Sequence, residues 1–367
     1  MSKLTFTSNV LQKTDRYSKE FFLPDFLYDE NGQFDREATL HTLLSEEYGF
    51  VNSKGVELDV KILRERAEDP YSGVYAGFCK KHIKYQFTLS KNGLSSSFPV
   101  DLFLPDTEDE NRPLVVDLDF RLDAETCYCP LEEIMEQNVA VARVLYSDIT
   151  TDNGDFDNGV APLLTDRTDP HAAGKLAIWA YAAGLIGGYM LEQNHVKNGA
   201  LYVAGHSRLG KTALLAAALY PDLFAGVHSN NSGCSGVAVS REKQGETIAI
   251  ICRLFPYWFA PKYQEYADRE YEMTFDQHYL TALIAPRKLC VATAERDRWA
   301  DTEAQYLSLE AASVIYEKMG VAGLVSPDRL MTTGTSSNEG QIALIMRSGP
   351  HYFSRHDWNF FLNFIKK

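Results

Sequence analysis

One stretch constrains the fold more than any other: Leu201–Ala216, LYVAGHSRLGKTALLA. An apolar run that reads as a strand passes through a turn bounded by Gly205 and Gly210 and continues as a helical pattern, so strand, sharp turn and helix follow without a spacer. Two chemistries compete for that turn. Residues 205–212 satisfy G-x-x-x-x-G-K-[ST], the phosphate-cradling pattern, while Gly205-His206-Ser207 begins a nucleophile elbow of the G-x-S kind.

A phosphate cradle needs small residues whose successive N–H groups wrap the anion, with Lys211 on the outer phosphates and Thr212 on magnesium. The loop here is His206-Ser207-Arg208-Leu209, and no later strand ends in an obvious metal-holding aspartate. An elbow would expose the Ser207 hydroxyl and offer the Arg208 N–H to an oxyanion. Its second glycine is expected at 209, where the chain has Leu209, with Gly210 one place later. Arg208 and Lys211 also stand in the first turn of the helix, where cations oppose the dipole at about 0.3–1 kcal/mol each. An anion bound there would offset that cost.

The rest of the chain supplies context. From Lys81 the apolar period is two, in HIKYQFTLS, SFPVDLFLP and RPLVVDLDF; then a helix, LEEIMEQN, alternates with a strand, VAVARVLY, and with the long apolar helix KLAIWAYAAGLIGGYMLEQN. Such alternation predicts a mostly parallel sheet covered on both faces. Residues 21–70 read as helical and polar, with DVKILRERAEDP stopping at Pro70. The expected division is an N-terminal extension over 1–85 packed on a catalytic α/β domain over 86–367. The aromatic segment from Arg241 to Met273 reads as a wall over a pocket, most of its rings being core.

A net charge of −14 argues against a nucleic-acid partner. The first residues lack the apolar core of a secretory leader, and no run is long enough to cross a membrane. Six cysteines, Cys79, Cys127, Cys129, Cys234, Cys252 and Cys290, lack zinc-type spacing and read as free thiols in a reducing cytoplasm. The acidic run SDITTDNGDFDNG lacks the ligand positions of a calcium loop and reads as a solvated loop near a cleft. Neither metal nor cofactor is expected.

In the hydrolase plan the acid follows a late strand and the histidine comes last. Asp297, the last residue of LIAPRKLCVATAERD, fits the acid, with Glu295 as its neighbour and rival and Asp301 close by. His351, after a glycine turn, fits the base; its rival His356 looks like the start of the last helix, with Asp357 as cap. His206 reads as structural, pointing away from Ser207.

Together GHSRLGK, SNNSGCSG, the QGE of Gln244–Glu246, FPYWF, FDQHYLTALIAPRKL, the Asp-Arg-Trp-Ala-Asp run at 297–301 and RSGPH followed by DW resemble carbohydrate esterase family fifteen, the glucuronoyl esterases, bacterial members more than fungal ones. The resemblance runs from about Arg112 to the C-terminus and implies a three-layer α/β-hydrolase. Its own elbow has serine, arginine, any residue, glycine, lysine, which accounts for Gly210 and makes the phosphate pattern a coincidence. It implies Ser207 as nucleophile, His351 as base, Arg208 as an oxyanion-stabilising side chain, and Lys211, Glu246 and Trp299 as sugar contacts. Many members carry a glutamate where this chain has Asn231, which leaves Asp297 as the acid; the fungal elbow cysteine is His206; and the segment Asp117 to Arg121 departs from the usual loop. The expected substrate is a small carbohydrate ester, a glucuronoyl ester ahead of an acetylated sugar, with an inactive sugar-binding protein as a further alternative.

Overall fold

The computed structural model describes residues 3–4, 17, 21–67, 79–107, 111–120, 129–325 and 332–367; Pro70, Arg121 and Cys127 fall outside them. A ten-stranded sheet organises the described residues. From edge to edge its strands are Thr335–Ser337, Ile342–Arg347, Lys288–Ala294, Gly226–Asn230, Leu201–His206, Leu114–Asp119, Ala140–Leu145, Leu94–Pro105, Cys79–Lys91 and Glu57–Ala67. The six strands from Ile342–Arg347 to Ala140–Leu145 run parallel, and the last three join them antiparallel.

Period-two alternation sorts the parallel strands between two cores. Leu114, Val116, Leu118, Leu201 and Val203 face a core shared with the helices Lys175–Glu192, Arg208–Leu219 and Thr302–Lys318. Val115, Val141, Tyr202, Ala204, Cys290 and Ala292 face the opposite core, closed by the helices Leu131–Glu136 and Arg355–Ile365. Strands buried on both faces read as near-continuous apolar runs, as seen here. The helix Lys175–Glu192 is apolar nearly all round because it is covered nearly all round, and no helix among the described residues is long and apolar enough to cross a membrane.

Two expectations need correction. DVKILRERA is an edge strand, Glu57–Ala67, paired with Cys79–Lys91. Among the described residues it is hydrogen-bonded on one side only, and it leaves Leu58, Ile62 and Leu63 exposed, so its polar-rich pattern imitates a surface helix while tertiary pairing decides the outcome. The boundary at residue 85 consequently falls inside a strand, and residues 57–105 belong to the same sheet as the strand carrying Ser207. The helical expectation holds nearby for Arg36–Leu43, capped by the Asp35 carboxylate, which accepts from the Ala38 N–H.

Candidate active site

Every parallel strand ends at the same edge of the sheet, and the candidate residues follow those ends, as open α/β sheets dictate. Ser207 directly follows Leu201–His206 and opens the helix Arg208–Leu219. Its φ of 56° and ψ of −124° lie in a region that costs a non-glycine residue on the order of 1–3 kcal/mol. Strain of this kind turns the hydroxyl out at the top of the sheet. Glycine is required beside it: a Cβ on Gly205 would stand 2.2 Å from the Leu209 carbonyl oxygen, and one on Gly210 would stand 3.0 Å from that of Asn230. The second glycine sits at 210 because the helix meets the neighbouring strand there, whereas Leu209 is buried in the core.

His351 follows Ile342–Arg347 and its Nδ1 hydrogen-bonds the Asp297 Oδ2 at 2.6 Å. Asp297 is buried, and its Oδ1 accepts from the Ala300 N–H at 3.1 Å. Glu295 and His356, the rivals, are both exposed. The His351 ring packs against that of His206, centroids 4.4 Å apart, which brings it to the residue before Ser207. With Nδ1 on Asp297, Nε2 is the nitrogen left to take a proton. The helix after His351 is capped by Ser354, not Asp357; Asp357 completes the capping box at the third helical position and pairs with Arg347 at 2.9 Å.

His206, the residue before Ser207, also packs against the base. Fully buried, its Nδ1 bonds the Asn230 side-chain oxygen at 2.5 Å, and burial, then the neighbouring His351, holds its pKa well below the ordinary histidine range. It presents a neutral ring against the base. Asn231 follows the adjoining strand with φ of 47°, its side-chain amide donating at 3.5 Å to the Tyr352 carbonyl, next to His351.

Arg208 lies among the aromatic rings of Trp258, Phe255 and Phe120, with its guanidinium carbon 4.8, 5.5 and 5.6 Å from their centroids. Its Nη1 donates to the Asp152 carboxylate, while its Nε–H is buried without a partner among the described residues. Asp152 was invisible to sequence reasoning, being one acid in a run read as solvated; only the fold brings that loop to the elbow.

Lys211 is buried, and its ammonium donates to the Ser232 carbonyl at 2.5 Å, the Cys234 carbonyl at 2.6 Å and the Glu246 Oε2 at 2.9 Å. Three donors are spent on three partners, so a sugar hydroxyl could receive one only by displacing a partner. The same geometry rules out the phosphate cradle: the lysine is occupied and the Thr212 hydroxyl donates to the Arg208 carbonyl at 2.9 Å. Trp299 is 43% exposed. Its carbonyl accepts from the Glu246 N–H at 3.1 Å, which joins the loops carrying these two residues.

Fold and site define an α/β-hydrolase whose strand ends bring a serine, a histidine and an aspartate to one edge. A family model described as glucuronyl esterase, fungi, matches residues 87–320. The chain belongs to this glucuronoyl esterase family. Among its relatives, carbohydrate esterase MZ0003 of an unknown prokaryotic organism is 32% identical over 243 residues, covering 64% of this chain and 54% of that protein. A 4-O-methyl-glucuronoyl methylesterase of Podospora anserina is 28% identical over 192 residues, 50% of this chain and 40% of that protein. The matched stretch thus spans about half the length of these curated relatives or less. A solved glucuronoyl esterase from Solibacter usitatus superposes with a TM-score of 0.82 at 25% identity, covering 94% of this chain and 97% of that one.

Proposed function

We propose that this chain is a serine carboxylic-ester hydrolase acting on esters of glucuronic acid, of the kind named in its 4-O-methyl-glucuronoyl methylesterase relatives. The observation that carries the reading is the His351–Asp297 hydrogen bond of 2.6 Å beside the strained Ser207 elbow. Asp297 fixes the imidazole tautomer and stabilises the imidazolium that forms. His351 Nε2 takes the Ser207 proton as the oxygen attacks the ester carbonyl, giving a tetrahedral oxyanion. The Arg208 backbone N–H and the unspent Nε–H of its side chain are the donors suited to that oxyanion. Collapse returns the proton to the departing alcohol, and a water activated by the same histidine releases the acid.

Exposed Trp299 would offer the sugar a ring face, while the buried Lys211–Glu246 pair would meet a hydroxyl only by giving up one of its internal partners. Hydrolysis of benzyl glucuronate beside an acetylated xylo-oligosaccharide, with Ser207→Ala as blank, tests the assignment. Serine-dependent release of benzyl alcohol is expected; release of acetate alone would make the chain an acetylesterase, and silence on both would remove the uronate-ester reading.

A further inference from the structure

Asp152 belongs to no part of the reaction as described, yet its carboxylate is a hub. One oxygen, Oδ1, accepts from Trp258 Nε1 at 2.6 Å; the other accepts from Tyr146 Oη at 2.9 Å and from the Arg208 guanidinium. The other two donors stand around the arginine: the Trp258 ring lies over the guanidinium, and Tyr146 packs edge-on against Phe120, which covers the guanidinium from another direction.

The loop that carries Asp152 is itself braced. Lys175, with no exposed surface, sends its ammonium from the buried helix to the Thr150 hydroxyl at 2.7 Å and the Asp155 carbonyl at 2.6 Å. Trp179 Nε1 donates to the Thr150 carbonyl at 3.3 Å. Within the loop, the Asn158 side-chain oxygen takes the Thr151 N–H at 2.8 Å. A long flexible side chain such as arginine loses rotamer freedom when held, and a charge-assisted hydrogen bond to a fixed carboxylate, with aromatic rings around the guanidinium, is an effective way to hold it.

We propose that Asp152 is a positioning residue that sets the Arg208 guanidinium for the oxyanion. Binding Nη1 to a braced carboxylate fixes the rotation of the planar guanidinium, so the buried, unspent Nε–H keeps one direction before substrate arrives. Donors already in place when charge develops need no reorganisation at that moment. The inference rests on Arg208 stabilising the oxyanion, and the experiment separates the two claims.

The test is a double-mutant cycle on benzyl glucuronate with Asp152→Asn, Arg208→Ala and the double variant, each checked for wild-type thermal unfolding. Asp152→Asn keeps one side-chain acceptor for Trp258 or Tyr146 but loses the charge. Arg208→Ala should lose on the order of 10²–10³ in kcat, as for any oxyanion donor. Asp152→Asn should lose about tenfold or more in kcat with KM nearly unchanged, and the double variant should fall within about twofold of Arg208→Ala, the margin of measurement for non-interacting sites. Wild-type kcat in Asp152→Asn, or its full loss repeated on top of Arg208→Ala, overturns the inference while leaving Arg208 in place; wild-type kcat in Arg208→Ala overturns both. Should Asp152→Asn fold poorly, Tyr146→Phe removes one hydrogen bond to the carboxylate and gives the second reading: a smaller kcat loss that vanishes in the Arg208→Ala background supports the inference, and a loss that persists there overturns it.

Discussion

The two halves of the sheet obey different rules. In the parallel half, strands such as Leu201–His206 and Gly226–Asn230 are five or six residues long and buried along their whole length. In the antiparallel half, Cys79–Lys91 and Leu94–Pro105 run for 13 and 12 residues, and the outermost strand leaves Ile62 and Leu63 about half exposed. Every candidate catalytic side chain follows a strand of the first half, and none comes from the second. Parallel strands deliver all their C-terminal ends to one edge, so residues from distant parts of the sequence converge there; antiparallel hairpins scatter their ends to both edges. The first half bears strain at Ser207 and buried polar groups such as Lys211 and His206; in the second, among the described residues, positive φ is confined to the hairpin turn at Asn92 and Gly93.

The comparison breaks first at Ser207. Ser207→Ala should lower kcat by on the order of 10⁶, the penalty for removing a triad nucleophile, with the fold intact by circular dichroism. A smaller but still large loss, about 10⁴ in kcat, is expected for Asp297→Asn, because the histidine then takes the wrong tautomer. Glu295→Gln, at an exposed position two residues before Asp297, should leave turnover unchanged; the reverse pattern would reassign the acid.

Stability should divide the halves as sharply as activity. Leu214, fully buried in the parallel half's core, should cost about 2–5 kcal/mol on replacement by alanine, read by denaturant unfolding. Glu47, buried in the short helical segment Leu44–Tyr48 outside the sheet, offers a pH test. Burial pushes its carboxyl up from 4.5 to about 7, against the partial relief of the Gln277 amide donating at 2.8 Å. A raised carboxyl favours the protonated form in the fold, so its contribution is present in full below about pH 4.5 and is lost as pH rises to 7. Glu47→Gln should accordingly gain stability relative to wild type by roughly 3 kcal/mol between pH 4 and pH 8. In the open half Ile62→Ala should change stability by no more than about 0.5 kcal/mol; a core-sized loss would mean that the exposed face is covered in solution.

Much of the first half was legible because its signals are local. Strand, turn and helix at the elbow are contiguous, and Asp297 and His351 stand just after apolar runs that mark strand ends. Glu57–Ala67 was misread because an edge strand with one open face has no apolar period strong enough to outvote a helical one, and its pairing partner is supplied by the fold. Asp152, Lys175 and His206 escaped for a related reason. Each gains its meaning from a neighbour far away in sequence: Arg208, the loop at Thr150, and the His351 ring. The family resemblance marks Lys211 as a sugar contact, but its three internal partners were not legible in the sequence.

The central claim is that Ser207 is an activated nucleophile, and covalent labelling by a fluorophosphonate, read by intact mass and by peptide mapping, tests it most directly. The account predicts one adduct per chain, located on Ser207, absent from Ser207→Ala and strongly slowed in His351→Ala. An unlabelled wild-type chain, or an adduct that persists in Ser207→Ala, would contradict it.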